Sequence, residues 1–207
     1  LKWETTSDMN FGVDFSLMDN KITGSVDMYS KTTEDMLVEV NVPQPAVVTT
    51  KLDNVGSVEN SGLEFFINSV NMSTKDMSWN TSFNFSTNKN NVVSLGKDVE
   101  YIVTGQVGGA GLSGVQSAII KPGEAFGTFF GYELSGYDAD GQEILSTDGG
   151  PLSDGRRILG SPHPDYTFGM TNQINYGSFD ISFYIWSVQG NEILNIDSAI
   201  CIHISCL

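Results

Sequence analysis

Phe168-Gly-Met-Thr-Asn-Gln-Ile-Asn-Tyr176, the link Gly177-Ser178 and Phe179-Asp-Ile-Ser-Phe-Tyr-Ile-Trp-Ser-Val188 decide how this chain folds. In the second run Phe179, Ile181, Phe183 and Ile185 share one parity, and Asp180 and Ser182 the other. Period-two alternation puts apolar side chains on one face of a sheet and polar ones on the opposite face. The short polar link makes the two runs a strand pair. Just upstream, Pro162-His163-Pro164 prevents regular pairing and fixes the start of the first strand near Tyr166.

The same pattern recurs toward the N-terminus. Phe11, Val13, Phe15 and Leu17 oppose Asp14 and Ser16, and Ile22, Val26 and Met28 oppose Thr23, Ser25 and Asp27. The polar stretch Met18-Asp-Asn-Lys21 between them predicts a hairpin over Phe11–Tyr29. Leu63, Phe65 and Ile67 oppose Glu64 and Asn68, while Trp79, Thr81, Phe83 and Phe85 oppose Asn80, Ser82, Asn84 and Ser86. Asn71-Met-Ser-Thr-Lys-Asp76 reads as the turn joining these two runs. Gly62, inside a strand, marks a bulge or a close backbone approach.

Composition sets the bounds. With 25 acidic against 10 basic residues the net charge is −15, which repels phosphate backbones and excludes nucleic acid as a partner. Ser, Thr, Asn and Gly are abundant, so long helices are disfavoured. No run of about 18 apolar residues is present, so no helix crosses a membrane, whereas a barrel strand needs only about 9–11 residues with one apolar face.

Two architectures accommodate alternating strands: a transmembrane β-barrel and a soluble antiparallel β-sandwich. Several runs reach nine or more residues, longer than the usual five or six. Short turns alternate with long loops, at 39–55 and 96–165. Tyr29, Trp79, Tyr166, Tyr176, Phe179 and Trp186 cluster toward strand ends, as interfacial girdles do. The expected fold is all-β: antiparallel strands of a partial transmembrane β-barrel, with long extracellular loops and short periplasmic turns. On this reading Asp14, Ser16, Glu64, Asn80, Asn84, Asp180 and Ser182 face the lumen and the opposite parity faces lipid. The alternative is a soluble β-sandwich carbohydrate-binding or adhesin module.

Six segments, in order, carry a family resemblance: Leu1-Lys-Trp-Glu-Thr5 with Asn10-Phe-Gly-Val-Asp14; Lys31-Thr-Thr-Glu-Asp-Met-Leu37; Asn54-Val-Gly-Ser-Val-Glu-Asn-Ser-Gly-Leu-Glu64; Gly123-Glu-Ala-Phe-Gly-Thr-Phe-Phe-Gly-Tyr132; Ile158-Leu-Gly-Ser-Pro-His-Pro-Asp165; and Gly190-Asn-Glu-Ile-Leu194. Together they resemble the C-terminal barrel region of SusC/RagA-type TonB-dependent outer-membrane transporters. The resemblance implies a plugged barrel of about 22 strands, of which this stretch supplies seven or eight. It also implies import of an oligosaccharide or peptide with a SusD-like surface lipoprotein. Coupling to the TonB–ExbB–ExbD complex would run through an N-terminal region that, with the plug, lies outside this chain. The location implied is the bacterial outer membrane. Residues 1–195 are expected to form the barrel stretch. Residues 196–207, with Cys201 and Cys206, depart from the family and form an atypical tail.

Signals for chemistry are weak. Gly109-Ala-Gly-Leu-Ser-Gly114 has dinucleotide-loop spacing, but only Val115–Lys121 precede Pro122, too few for the helix such a site requires. Asp138-Ala-Asp-Gly-Gln-Glu143 lacks the glycine and glutamate positions of a calcium loop and reads as a turn. His163 and His203 form no pair, no nucleophile elbow or zinc-ligand motif is present, and no two carboxylates are singled out for glycosidase work. The expectation is no enzyme, no cofactor, no catalytic or metal-ligating residue, and no nameable substrate-binding residue.

Overall fold

The computed structural model describes residues 2–41, 45, 47–48, 50–54, 56–96, 99–107, 116–141, 143–146, 155–195 and 200–202. Among them there is no helix. The strands are β1 Thr5–Leu17, β2 Ile22–Glu34, β3 Leu37–Asn41, β4 Thr50–Asn54, β5 Ser57–Ser73, β6 Met77–Ser94, β7 Ile102–Gln106, β8 Gln116–Ile120, β9 Thr128–Gly131, β10 Glu133–Tyr137, β11 Glu143–Ser146, β12 Arg157–Gly160, β13 Tyr166–Tyr176, β14 Phe179–Gln189, β15 Ile193–Asn195 and β16 Ile200–Ile202.

Six long strands form one antiparallel wall in the order β1-β2-β5-β6-β13-β14. Three tight hairpins close it at one end. Gly177 takes φ 59° at the first position of the β13–β14 link, where a II′ turn uses glycine, and Lys21 N–H bonds Met18 O at 3.2 Å in the first hairpin. All the longer excursions leave from the other end, because each occupies the connection between successive hairpins.

The register makes the sequence parity a property of the whole wall. One row runs Val13, Val26, Phe65, Phe85, Phe168, and the next Phe15, Gly24, Ile67, Phe83, Met170, Ile185. The opposite face carries Asp14, Ser25, Phe66, Asn84, Gly169, Trp186 in one row and Ser16, Thr23, Asn68, Ser82, Thr171, Tyr184 in the next. Glu64, Asn80, Asp180 and Ser182 share that polar face, so the seven residues singled out by parity are co-facial.

Several expectations need correction. β5 continues to Ser73 and the turn shrinks to about Thr74–Asp76, because a bulge at Asn71 shifts the register between Val70 and Met72. That extra residue returns Met72 to the apolar face, opposite Trp79. Gly62 sits in regular register and is a close approach: a Cβ there would lie 2.5 Å from the Tyr29 hydroxyl. Of the six strand-end aromatics, Trp79, Tyr166, Tyr176 and Phe179 lie on the apolar face, whereas Tyr29 pairs with Gly62 and Trp186 with Gly169 on the polar face. The wall holds six strands among the described residues, not seven or eight, because the strands between β2 and β5 and between β6 and β13 are only 4–5 residues long and form separate sheets.

The two long loops are therefore partly folded. β3 pairs with β4, β10 with β11, and β7, β8, β9 and β12 form a four-stranded cap. The Asp138–Gly141 turn closes the β10–β11 hairpin as expected. Residues 109–114 lie outside the described residues. The buried apolar residues gather at the cap. Ile119 and Phe130 pack inside it with Tyr101, Val103 and Ile158. Ile120 joins Leu95, Val58 and Val92, the last two on the polar-face parity of β5 and β6. The cap therefore leans over the polar face.

Candidate functional site: the polar face of the wall and its rim

The polar face is built from short side chains bonded across strands. Ser82 Oγ donates to Asn68 Oδ1 at 2.9 Å, Ser86 and Thr167 hydroxyls are 2.8 Å apart, and Asn90 Nδ2 reaches Asn60 Oδ1 at 2.7 Å. Each is a direct cross-strand pair, the unit that stabilises a sheet. Acidic groups (Asp14, Asp27, Glu64) share this surface with the aromatic rings of Phe66, Tyr184 and Trp186, the last 65% exposed. Such a face can hydrogen-bond and stack. Among the described residues no group of three metal-ligating side chains occurs.

At the rim, the segments that carry the family resemblance meet in two clasps. In the first, the Asn54 carboxamide accepts from Lys2 N–H at 2.5 Å and donates to Lys2 O at 2.9 Å and Asp35 O at 2.8 Å, while Glu4 Oε1 accepts from Leu37 N–H at 2.9 Å. Three motif segments, far apart in sequence, are thus buckled by one asparagine. Nearby Lys51 Nζ lies 2.6 Å from Asp53 Oδ2, and this hydrogen bond and charge hold the Asp53 carboxyl below the usual carboxylate range. Both side chains are exposed, so salt screens the pair.

In the second clasp, Phe126 N–H donates to Asn90 Oδ1 at 2.6 Å and Phe126 O lies 2.9 Å from His163 Nε2. Ser161 N–H donates to the Glu192 carboxylate, Glu192 N–H returns a bond to Ser161 O at 2.8 Å, and Asp165 N–H bonds Gln189 O at 2.8 Å. The Pro-His-Pro turn is therefore stitched to the 121–131 stretch and to the end of β14. Sequence reasoning missed Asn54, Asn90, His163 and Glu192 as clasp residues. For Asn54, His163 and Glu192, presence inside the segments that carry the resemblance was the available signal, but a segment does not say which of its side chains bonds, or to what; Asn90, in β6, lies in none of those segments.

Comparison with known proteins places the chain. Residues 1–196 match the family described as TonB dependent receptor-like, beta-barrel. TonB-dependent receptor P3 of Formosa agariphila is 37% identical across 94% of this chain and 21% of its own length. TonB-dependent receptor SusC of Bacteroides thetaiotaomicron is 32% identical across 93% of this chain and 20% of its own. Among solved structures, the RagAB peptide transporter superposes with a TM-score of 0.78 at 23% identity, over 94% of this chain and 22% of that one. The RagAB peptide importer in its open-open state gives 0.79 at the same identity. The chain spans about a fifth of the length of these relatives. It belongs to the TonB-dependent receptor-like β-barrel family.

Proposed function

We propose that this chain is a stretch of the wall of a nutrient importer in the bacterial outer membrane. The importer takes up an oligosaccharide or peptide delivered by a SusD-like surface lipoprotein and is driven by the TonB–ExbB–ExbD complex acting on a region outside this chain. The observation that carries the reading is the parity held in register across six strands, interrupted in β5 by the bulge at Asn71. Mostly apolar rows cover one face, with no layer over them among the described residues, and mostly polar rows cover the other. Phe11 and Phe179, 67% and 72% exposed, would be intolerable in water over so wide a patch and are ordinary against lipid. From Tyr166 to Tyr176 is ten residues, about 33 Å along a strand and about 25 Å in height at a tilt near 40°. That is the height of the apolar band of an outer-membrane barrel.

The polar face then lines the lumen or meets the plug, and the chain performs no covalent chemistry of its own. The wall contributes polarity, shape and a rim, and selectivity follows from what that rim and the loops admit. A soluble β-sandwich would need a second sheet over the apolar face, and none of the small sheets among the described residues packs there.

The experiment is single-cysteine labelling in the whole transporter, with Cys201 and Cys206 replaced by serine. Phe83→Cys should react with a lipid-partitioning maleimide and resist a membrane-impermeant one, while Asn84→Cys should show the reverse. Equal labelling of both positions by the impermeant reagent would sink the reading.

A further inference from the structure

β6 outlasts its neighbour on one side. β13 accompanies it only as far as Ser86, the partner of Thr167, while β6 runs on to Ser94. Among the described residues no strand pairs with that outer part on the β13 side, and an open sheet edge is a liability. The turn between β8 and β9 fills it. Val92 N–H bonds Glu124 O at 2.8 Å and Gly123 N–H bonds Val92 O at 2.9 Å. Two residues deeper along β6, the Asn90 carboxamide accepts from Phe126 N–H at 2.6 Å. The Phe126 carbonyl in turn lies 2.9 Å from Nε2 of His163, in the turn that leads into β13. The cap is thus sewn along the wall rather than hung from its ends.

The seam is also dry. Val92, Leu95, Ile120 and Val58 are 0%, 3%, 4% and 7% exposed, and Met36, Val99 and Ile102 pack against them. From Leu95 at the rim to Asn90 the seam runs down five residues of strand, about 17 Å. A lid swings on a few hinge residues, and moving elements come from regions with few buried apolar contacts. The cap has the opposite character. Every buried apolar side chain among the described residues lies in the 96–165 excursion or in this seam. Swinging the cap away at Leu95 would peel the whole seam, wet four aliphatic side chains and reopen the edge of β6.

We propose that the cap is a fixed jaw built on the inner wall and not a lid. It stays docked while cargo passes, so the mouth keeps one width beside it and selects by size and shape. The proposal rests on the reading that the polar face lines the lumen. The test uses the whole transporter, with Cys201 and Cys206 replaced by serine, in living cells growing in a medium rich in peptides and glycans. Val92→Cys and, separately, Asn84→Cys are exposed to a membrane-impermeant maleimide, in strains with and without TonB. Val92→Cys should stay unlabelled in both strains over the time in which Asn84→Cys labels fully, and should label once the cells are denatured. Labelling of native Val92→Cys only where TonB is present means that the cap is lifted during import, and labelling in both strains means that it opens unaided; either overturns the proposal. If Asn84→Cys itself resists the reagent, the reading of the face is wrong and the jaw falls with it. Should Val92→Cys fail to assemble, hydrogen exchange on the unsubstituted transporter decides. The amides of Val92 and Gly123 should exchange as slowly as those of Phe83 and Phe85 in the same strand. Exchange as fast as in the β10–β11 turn overturns the fixed jaw.

Discussion

The six-stranded wall and the four-stranded cap are both antiparallel sheets, yet they hold themselves together differently. Wall strands run to 11–18 residues, and only Val58, Val92, Gly169 and Asn172 within them are buried. Cap strands have 4–5 residues and enclose Ile119 completely. The cap works as a water-soluble protein does, gaining stability from apolar area removed from water. The wall gains from its hydrogen-bonded ladder, which becomes obligatory once lipid replaces water and no backbone group can be left unpaired. A sheet without a core is evidence about its solvent. The junction between the two regions is a matter of one residue: Ile119 points into the cap and its neighbour Ile120 into the cluster with Val58 and Val92, because successive strand residues face opposite sides.

That adjacency gives the largest predicted effect. Ile119→Ala should cost the cap about 2–5 kcal/mol, the usual loss for a fully buried isoleucine. Hydrogen exchange on the whole transporter should show protection lost in β7, β8 and β9 and kept in β5 and β6. Ile120→Ala, a similar deletion at the junction, should instead raise exchange at the rim, where Val92 N–H bonds Glu124 O at 2.8 Å and Gly123 N–H bonds Val92 O at 2.9 Å. Identical exchange patterns for the two variants would mean that cap and wall open as one unit and that the contrast is only apparent.

Phe83→Arg comes next. It should cost about 2–4 kcal/mol if that site lies near mid-membrane, read as loss of folded transporter in outer-membrane fractions. Asn84→Arg, one residue away on the polar face, should stay within about 0.5 kcal/mol. Equal tolerance at both positions would remove the distinction between the faces.

How far the sequence could be read follows the same division. In the wall, period two survives for 11 or more residues, so hairpins, faces and the Tyr166 start were legible. It failed where a local event breaks the period. At Asn71 the bulge put Met72 out of phase, and a strand end was read as turn. Trp186 was assigned to a girdle by its place near a strand end, although its parity with Asp180 and Ser182 already put it on the polar face. The cap was hardest. Its core rests on pairs such as Ile119-Ile120 and Phe129-Phe130 inside glycine-rich stretches, too short for any period to show. The clasps depend on contacts such as Asn54 to Lys2, 52 residues apart, which no local pattern encodes.

The smallest predicted effect tests whether the wall unfolds as a unit. In the first hairpin Met18, Asp19 and Asn20 all take positive φ, 54°, 55° and 65°. Asp and Asn tolerate this left-handed region, but a methionine there carries roughly 1–2 kcal/mol of strain. Met18→Gly relieves it while making the unfolded chain more flexible, which returns part of the gain. The expected net effect is a stabilisation of about 0.5–1 kcal/mol, read from urea unfolding of the reconstituted transporter. Met18 is 72% exposed, so its side chain removes little packing when deleted. If the gain appears in global unfolding, the β1–β2 hairpin is part of the cooperative wall. If unfolding is unchanged but exchange in β1 and β2 slows, that hairpin opens before the rest, and the ladder of the wall is cooperative only from β5 onward.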